Sequence, residues 1–131
     1  MNITKMNKLI IDVTNNKIFL MIITNLNIYN ITHENTKINY EKLTIIIDNF
    51  LISQRLKITD INKIYINRGP GSSAGIRNSL SIVKAFNVAK NIDYYCYRLE
   101  DFKDEKDLSY ENIPNLCNKF KIKKNLINPI Y

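Results

Sequence analysis

Apolar and polar positions change period several times along the chain, and each change marks an element. Lys8-Leu9-Ile10-Ile11-Asp12-Val13 is a continuous apolar run broken only by an acid near its end, the pattern of a buried strand. Thr14-Asn15-Asn16 interrupts it with residues that suit a turn. Lys17 to Thr24 and Leu26 to Thr32 predict two more strands, the second an imperfect alternation of Leu26, Ile28 and Ile31 with asparagine. Turns this short favour an antiparallel meander. From Tyr40 to Gln54 the period lengthens. Leu43, Ile46, Ile47, Phe50 and Leu51 follow the i, i+3, i+4, i+7, i+8 rule of a helix, and Ile45 with Ile52 forms a second stripe beside them. An apolar arc this wide predicts contacts on two sides, the sheet and something else.

Lys63 to Asn67 predicts a fourth strand, Ser73 to Lys90 a second helix, and Asp93 to Leu99 a last strand. On the second helix Ile76, Leu80, Ile82, Val83 and Phe86 gather on one half of the cylinder, while Arg77, Ser81 and Lys84 lie opposite. Asn91 reads as its stop signal. The fold class is therefore α/β: a mixed five-stranded sheet, three strands in a meander and two reached by crossovers, with two main helices against it. From Glu100 the chain turns charged, with one short helix around Tyr110 to Phe120.

Composition changes this picture little. The 131 residues suit one domain, with 45% hydrophobic and 24% charged residues. The formal charge of +7 raises a nucleic-acid surface as one reading, but the lysines are scattered from Lys5 to Lys124. The densest basic stretch is Lys119, Lys121, Lys123 and Lys124. Cys96 and Cys117 form no C-x-x-C pair and have only His33 as a co-ligand, so no metal site is expected. Two lone thiols, an N-terminal apolar run too short for a signal peptide, and no stretch long enough to span a bilayer predict a cytoplasmic protein.

The sharpest feature is Arg68-Gly69-Pro70-Gly71-Ser72-Ser73-Ala74-Gly75-Ile76-Arg77, which holds all three glycines of the chain. Glycine is needed where φ is positive or another backbone approaches closely. Ser72 or Ser73 suits a helix N-cap, and free N–H groups there suit an anion. The spacing is not that of a Walker A loop. Gly69, Gly71 and Ala74 do match a loose dinucleotide pattern, yet Arg98 stands where that fold needs an acid. A tight turn packing helix on sheet is the plainer reading.

That string resembles the G-R-G-P-G-S-F-T-G-V-R signature of the TsaB (YeaZ-like) family, with Asn67 for the leading glycine and Ser73-Ala74 for Phe-Thr. Lys8 to Thr14 is similar to the family's opening strand, Asn39 to Ile45 to its H-S-x-x-L-x-P helix start, and Ile58 to Ile64 to its L-x-D-I-D-x-I segment. Pro129-Ile130-Tyr131 is like its P-x-Y ending.

The resemblance implies a ribonuclease-H-like, actin-like fold. Residues 1–100 would be the first lobe, and 101–131 a charged remnant of a second. It also implies a subunit without catalytic residues. Such a subunit pairs with a TsaD-like enzyme, is joined by a TsaE-like ATPase, and serves threonylcarbamoyl transfer to adenosine 37 of tRNA; a homodimer stays open. The expected partner face is Leu43, Ile46, Ile47, Phe50, Ile76, Leu80 and Val83. Arg68, Gly69, Pro70, Gly71, Ser72, Gly75 and Arg77 form the motif loop. No cofactor is expected in the chain alone, with ATP or ADP at the complex interface. The alternative is an actin-like nucleotide-binding or phosphotransfer enzyme contacting its ligand through Asp12, Gly71 and Ser72, although a strand-end Asp more often caps a turn.

Overall fold

The computed structural model describes residues 6–128, so Lys5 and the Pro129-Ile130-Tyr131 ending lie outside the described residues. Five strands form one sheet: β1 (Lys8–Asp12), β2 (Lys17–Ile23), β3 (Ile28–Glu34), β4 (Lys63–Asn67) and β5 (Asp93–Tyr97). Their order is β3-β2-β1-β4-β5, antiparallel through the meander and parallel from β1 to β4 to β5. β3 starts two residues later than its sequence pattern suggests. Thr24 and Asn27 close a turn instead, and Leu26 is left exposed.

The expected helix over 40–54 is two helices, α1 (Lys37–Glu41) and α2 (Leu43–Ser53), joined at Lys42. Thr36 starts the first early because its hydroxyl accepts the Asn39 N–H. The helix over 73–90 is α3 (Ser73–Lys90), and it ends on Asn91 in the left-handed region at φ 57°. The serine cap does not form: Ser72 occupies the N-cap position without a side-chain bond.

All three helices lie on one face of the sheet. Leu9, Ile11, Leu20, Ile22, Ile64, Ile66 and Tyr94 meet Leu43, Ile47, Phe50, Leu51, Ile76, Leu80 and Val83 there in a single core. This decides the fate of the expected partner face. Leu43, Ile47, Phe50, Ile76, Leu80 and Val83 are all buried by the chain's own sheet, and Ile46 is half-buried against them. They are core, not contact surface. The arc was wide because α2 carries a second apolar stripe: at 100° per residue Ile45 and Ile52 point away from the buried side, and each is 59% exposed.

The opposite face of the sheet is covered by the charged segment. After a 3₁₀ turn at Leu99–Asp101, Phe102 turns inward, and α4 (Ile113–Lys119) brings Ile113, Leu116 and Cys117 over Ile10, Met21, Tyr65 and Tyr97. Phe102 stacks on Tyr97 with ring centroids 5.7 Å apart. Residues 101–128 are thus a structural layer, pinned partly by Arg68, whose guanidinium donates to the Asn128 carbonyl at 2.7 Å and pairs with Asp101 at 3.6 Å.

Both cysteines are free and buried, one in each core. Burial pushes each thiol up from the ordinary 9.0 to about 12; Asp101 and Cys96 add to the rise for Cys117, while Arg68 moderates it for Cys96. Below pH 9.0 both states carry neutral thiols; between there and about 12 only the unfolded chain ionises. Stability should therefore be intact at about pH 8 and fall as pH rises through about 10.5, read as a drop in the urea midpoint. A Cys96→Ala, Cys117→Ala variant should lose part of that alkaline decline.

Candidate functional site

The carboxyl ends of β1 and β4 are where parallel strands of an α/β sheet usually present their chemistry. An open cleft of about 350 Å³ lies there, lined by Asp12, Thr14, Asn67, Gly69, Pro70 and Tyr110 among others. Asp12 sits at its base, 3% exposed. Four donors address its carboxylate: the Thr14 N–H at 2.8 Å, the Thr14 hydroxyl at 2.6 Å, the Asn67 amide at 3.2 Å and the Tyr110 hydroxyl at 2.9 Å. A buried carboxylate tolerates burial only when so supplied. The Thr14 bonds are local turn bonds, so Asp12 does cap the β1–β2 turn.

Tyr110 comes from the segment before α4 and stacks on Phe19, centroids 3.9 Å apart. Burial, then the Asp12 charge and the bond to it, push its phenol well above the usual tyrosine range, so it remains a donor at neutral pH. Tyr97 nearby is raised too, chiefly by burial and then by Asp12 and Tyr110. Asn67 links this cluster to the glycine loop: its side-chain oxygen accepts the Gly69 N–H at 3.0 Å.

The glycine loop does structural work with different residues for different reasons. Gly69 has φ 118°, in the region that favours glycine, and precedes Pro70 through a cis peptide. A Cβ on Gly71 would lie 2.5 Å from the Thr14 carbonyl oxygen. Gly75 is buried in α3, where a Cβ would make only ordinary contact with Tyr40 and Asn35. Arg68 anchors the second layer, and Arg77 lies on the exposed side of α3. Gly71 and Ser72 are exposed and outside the lining of the Asp12 cleft. Of the expected nucleotide set, Asp12 lines the cleft, Gly71 packs on Thr14 beside it, and Ser72 lies outside the lining. Asn67 and Tyr110 are the members that sequence reasoning missed. Only the replacement of the signature's first glycine by Asn67 hinted at either.

The remaining groups offer little reactive chemistry. Among the described residues no three His, Cys, Asp or Glu side chains cluster as metal ligands. The thiols are held protonated, which removes their nucleophilicity. Replacing Asp12 tests the structural reading. Asp12→Ala leaves the buried Asn67 amide and the half-buried Tyr110 hydroxyl without their acceptor and should cost about 2–4 kcal/mol, with Asp12→Asn at roughly half that, in denaturant titration. A ligand-contact residue would instead leave stability nearly unchanged.

No protein-family model matches the sequence, and no curated protein matches it either. Solved structures do match in shape. YeaZ from Pseudomonas aeruginosa superposes with a TM-score of 0.66 at 14% identity, over 71% of this chain and 44% of that one. The chain has a YeaZ-like fold. A second P. aeruginosa structure, with similarity to peptidase YEAZ, gives the same score over 43% of its length. T. thermophilus RuvC, solved in complex with Holliday junction substrate, superposes at 0.53 with 10% identity, over 94% of this chain and 83% of that one. Both neighbours are ribonuclease-H-like, as the strand order here is. The chain spans less than half the length of the YeaZ structures it matches. Among the described residues no helix is long and apolar enough to cross a membrane.

Proposed function

We propose that this chain is a non-catalytic pairing subunit of the TsaB type, which joins a TsaD-like enzyme in threonylcarbamoyl transfer to tRNA. The observation that carries the proposal is the outer side of the helical layer. With the expected contact residues sealed in the core, Ile45 and Ile52 of α2, Ile38 of α1 and Val88 of α3 stay 59–74% exposed. Isolated exposed apolar residues are ordinary; Ile45 and Ile52 seven apart on one helix form a stripe that suits a partner's helices. The YeaZ-like fold and the fully engaged Asp12 support the same reading.

On this reading residues 101–128 cap the second face of the sheet, and a TsaE-like ATPase, ATP or ADP and tRNA meet the chain in the assembled complex, in the cytoplasm. A homodimer through the same stripe would be the resting form. Co-expressed with its cognate TsaD-like subunit, the chain should co-elute with it on size exclusion as a heterodimer. Two separate peaks would refute the proposal. The nucleotide-enzyme alternative predicts saturable ADP binding by the isolated chain, which the occupied Asp12 carboxylate disfavours.

A further inference from the structure

A second concavity lies at the opposite end of the strands from Asp12, and its chemistry is different. It is a groove of about 510 Å³ between α4 and the starts of β1 and β4. That volume is in the range of ligand sites, roughly 300–1,000 Å³. Its walls carry Lys8, Lys63, Lys121 and Lys124, its floor carries Tyr65 and Tyr95, and no Asp or Glu lines it.

The sheet itself builds the arrangement. Lys8 and Lys63 are register partners on parallel strands, so their side chains stand side by side. Two residues along, Tyr65 and Tyr95 are partners as well, and their rings stack at 5.1 Å and 12°. The Lys63 ammonium lies 6.0 Å over the Tyr95 ring. Lys124 is fixed at the edge by a bridge between its backbone and Tyr95, and Lys121 follows directly on α4. Asp93, the register neighbour of Lys63 on β5, is engaged instead by Lys124 at 3.7 Å and by the Asn125 amide at 2.9 Å. No ion pair holds Lys8, Lys63 or Lys121 among the described residues. Burial, with Tyr95 and Cys117, holds the Tyr65 hydroxyl protonated, so the floor adds no negative charge.

Three ammonium groups outside any ion pair, over an aromatic floor, match a strand that alternates phosphates with flat bases. We propose that this groove binds a single-stranded segment of RNA, the lysines taking its phosphodiesters and the exposed part of Tyr95 a base. Naming that RNA as tRNA rests on the pairing function proposed above; the groove's affinity for single-stranded RNA does not.

The test is fluorescence anisotropy of the full chain with oligouridine of about ten nucleotides, a length that spans a site of this class. With three phosphates neutralised, log Kd should change with log salt at a slope of roughly 2, so that affinity falls about 15-fold from 50 to 200 mM salt. Lys8→Ala with Lys63→Ala should weaken binding at least tenfold and bring the slope down to about 0.7. Lys57→Ala with Lys90→Ala, elsewhere on the surface, should do neither. Equal losses from both pairs would mean diffuse attraction to a basic protein and would overturn the proposal. Equal competition by inorganic polyphosphate or by anionic phosphatidylserine vesicles would overturn its assignment to RNA. The Lys8→Ala, Lys63→Ala variant should still co-elute with the TsaD-like subunit. Lost pairing with intact RNA binding would refute the pairing function alone, and the converse would refute the groove alone.

Discussion

A chain ending at Glu100 should fail to fold cooperatively. The cut removes Phe102, Ile113, Leu116 and Cys117 and leaves Ile10, Met21, Tyr65 and Tyr97 on an open sheet face. Each of those four sheet side chains contributes about 1.5–3 kcal/mol when fully buried, so roughly 6–12 kcal/mol of stabilisation disappears. A whole domain has only about 5–15 kcal/mol of net stability. Asp12 also loses the Tyr110 hydroxyl, and Arg68 loses Asp101. Thermal melting followed by circular dichroism should show a broad, weak transition or none. A sharp melt close to that of the full chain would show that the first five strands stand alone and that the second layer is dispensable.

Gly71→Ala is the second large expected effect. One added methyl would sit 2.5 Å from the Thr14 carbonyl oxygen and 3.0 Å from the Thr14 Cα, both backbone atoms that no rotamer change can move. The loop after β4 would have to separate from the β1–β2 turn, which also carries the Asp12 cap. Overpacking of this kind costs about 2–3 kcal/mol. Gly75→Ala supplies the contrast within the same motif. Its new methyl would find neighbours no nearer than 3.7 Å, and inside a helix alanine gains about 0.8–1.0 kcal/mol over glycine, so this variant should be neutral or more stable. Urea midpoints for the two variants should move in opposite directions, or Gly71→Ala alone should fall.

Sequence patterning carried most of the fold because the strands and α3 have clean periods. The helix over 73–90 and the strand over 63–67 are found where the pattern places them. The split at Lys42 is hidden because Tyr40 and Leu43 continue one apolar rhythm across it, and only the Thr36 cap reveals the earlier start. The partner face was misplaced for a general reason. A helical wheel tells which residues are apolar together; it does not tell which of two arcs faces the sheet. Leu43, Ile47 and Phe50 went inward, and the stripe through Ile45 and Ile52, visible in the sequence, was left outside.

The second layer was least legible. Asp101, Lys103, Asp104, Glu105, Lys106 and Asp107 dominate the composition, while the anchors Phe102, Ile113 and Leu116 are too sparse to make a period. Contacts such as Arg68 with Asp101, Tyr110 with Asp12, and the stacked Tyr65 and Tyr95 join residues far apart in the chain, and no local spacing encodes them.

Titration of the TsaD-like subunit with the Ile45→Asp, Ile52→Asp chain is the most direct test of the pairing claim. Both side chains are solvent-facing, so the double variant should melt within a few degrees of the parent. Its affinity for the partner should fall at least a hundredfold in calorimetry, because two charges would be buried without counterparts. Unchanged affinity in a folded double variant would contradict the account.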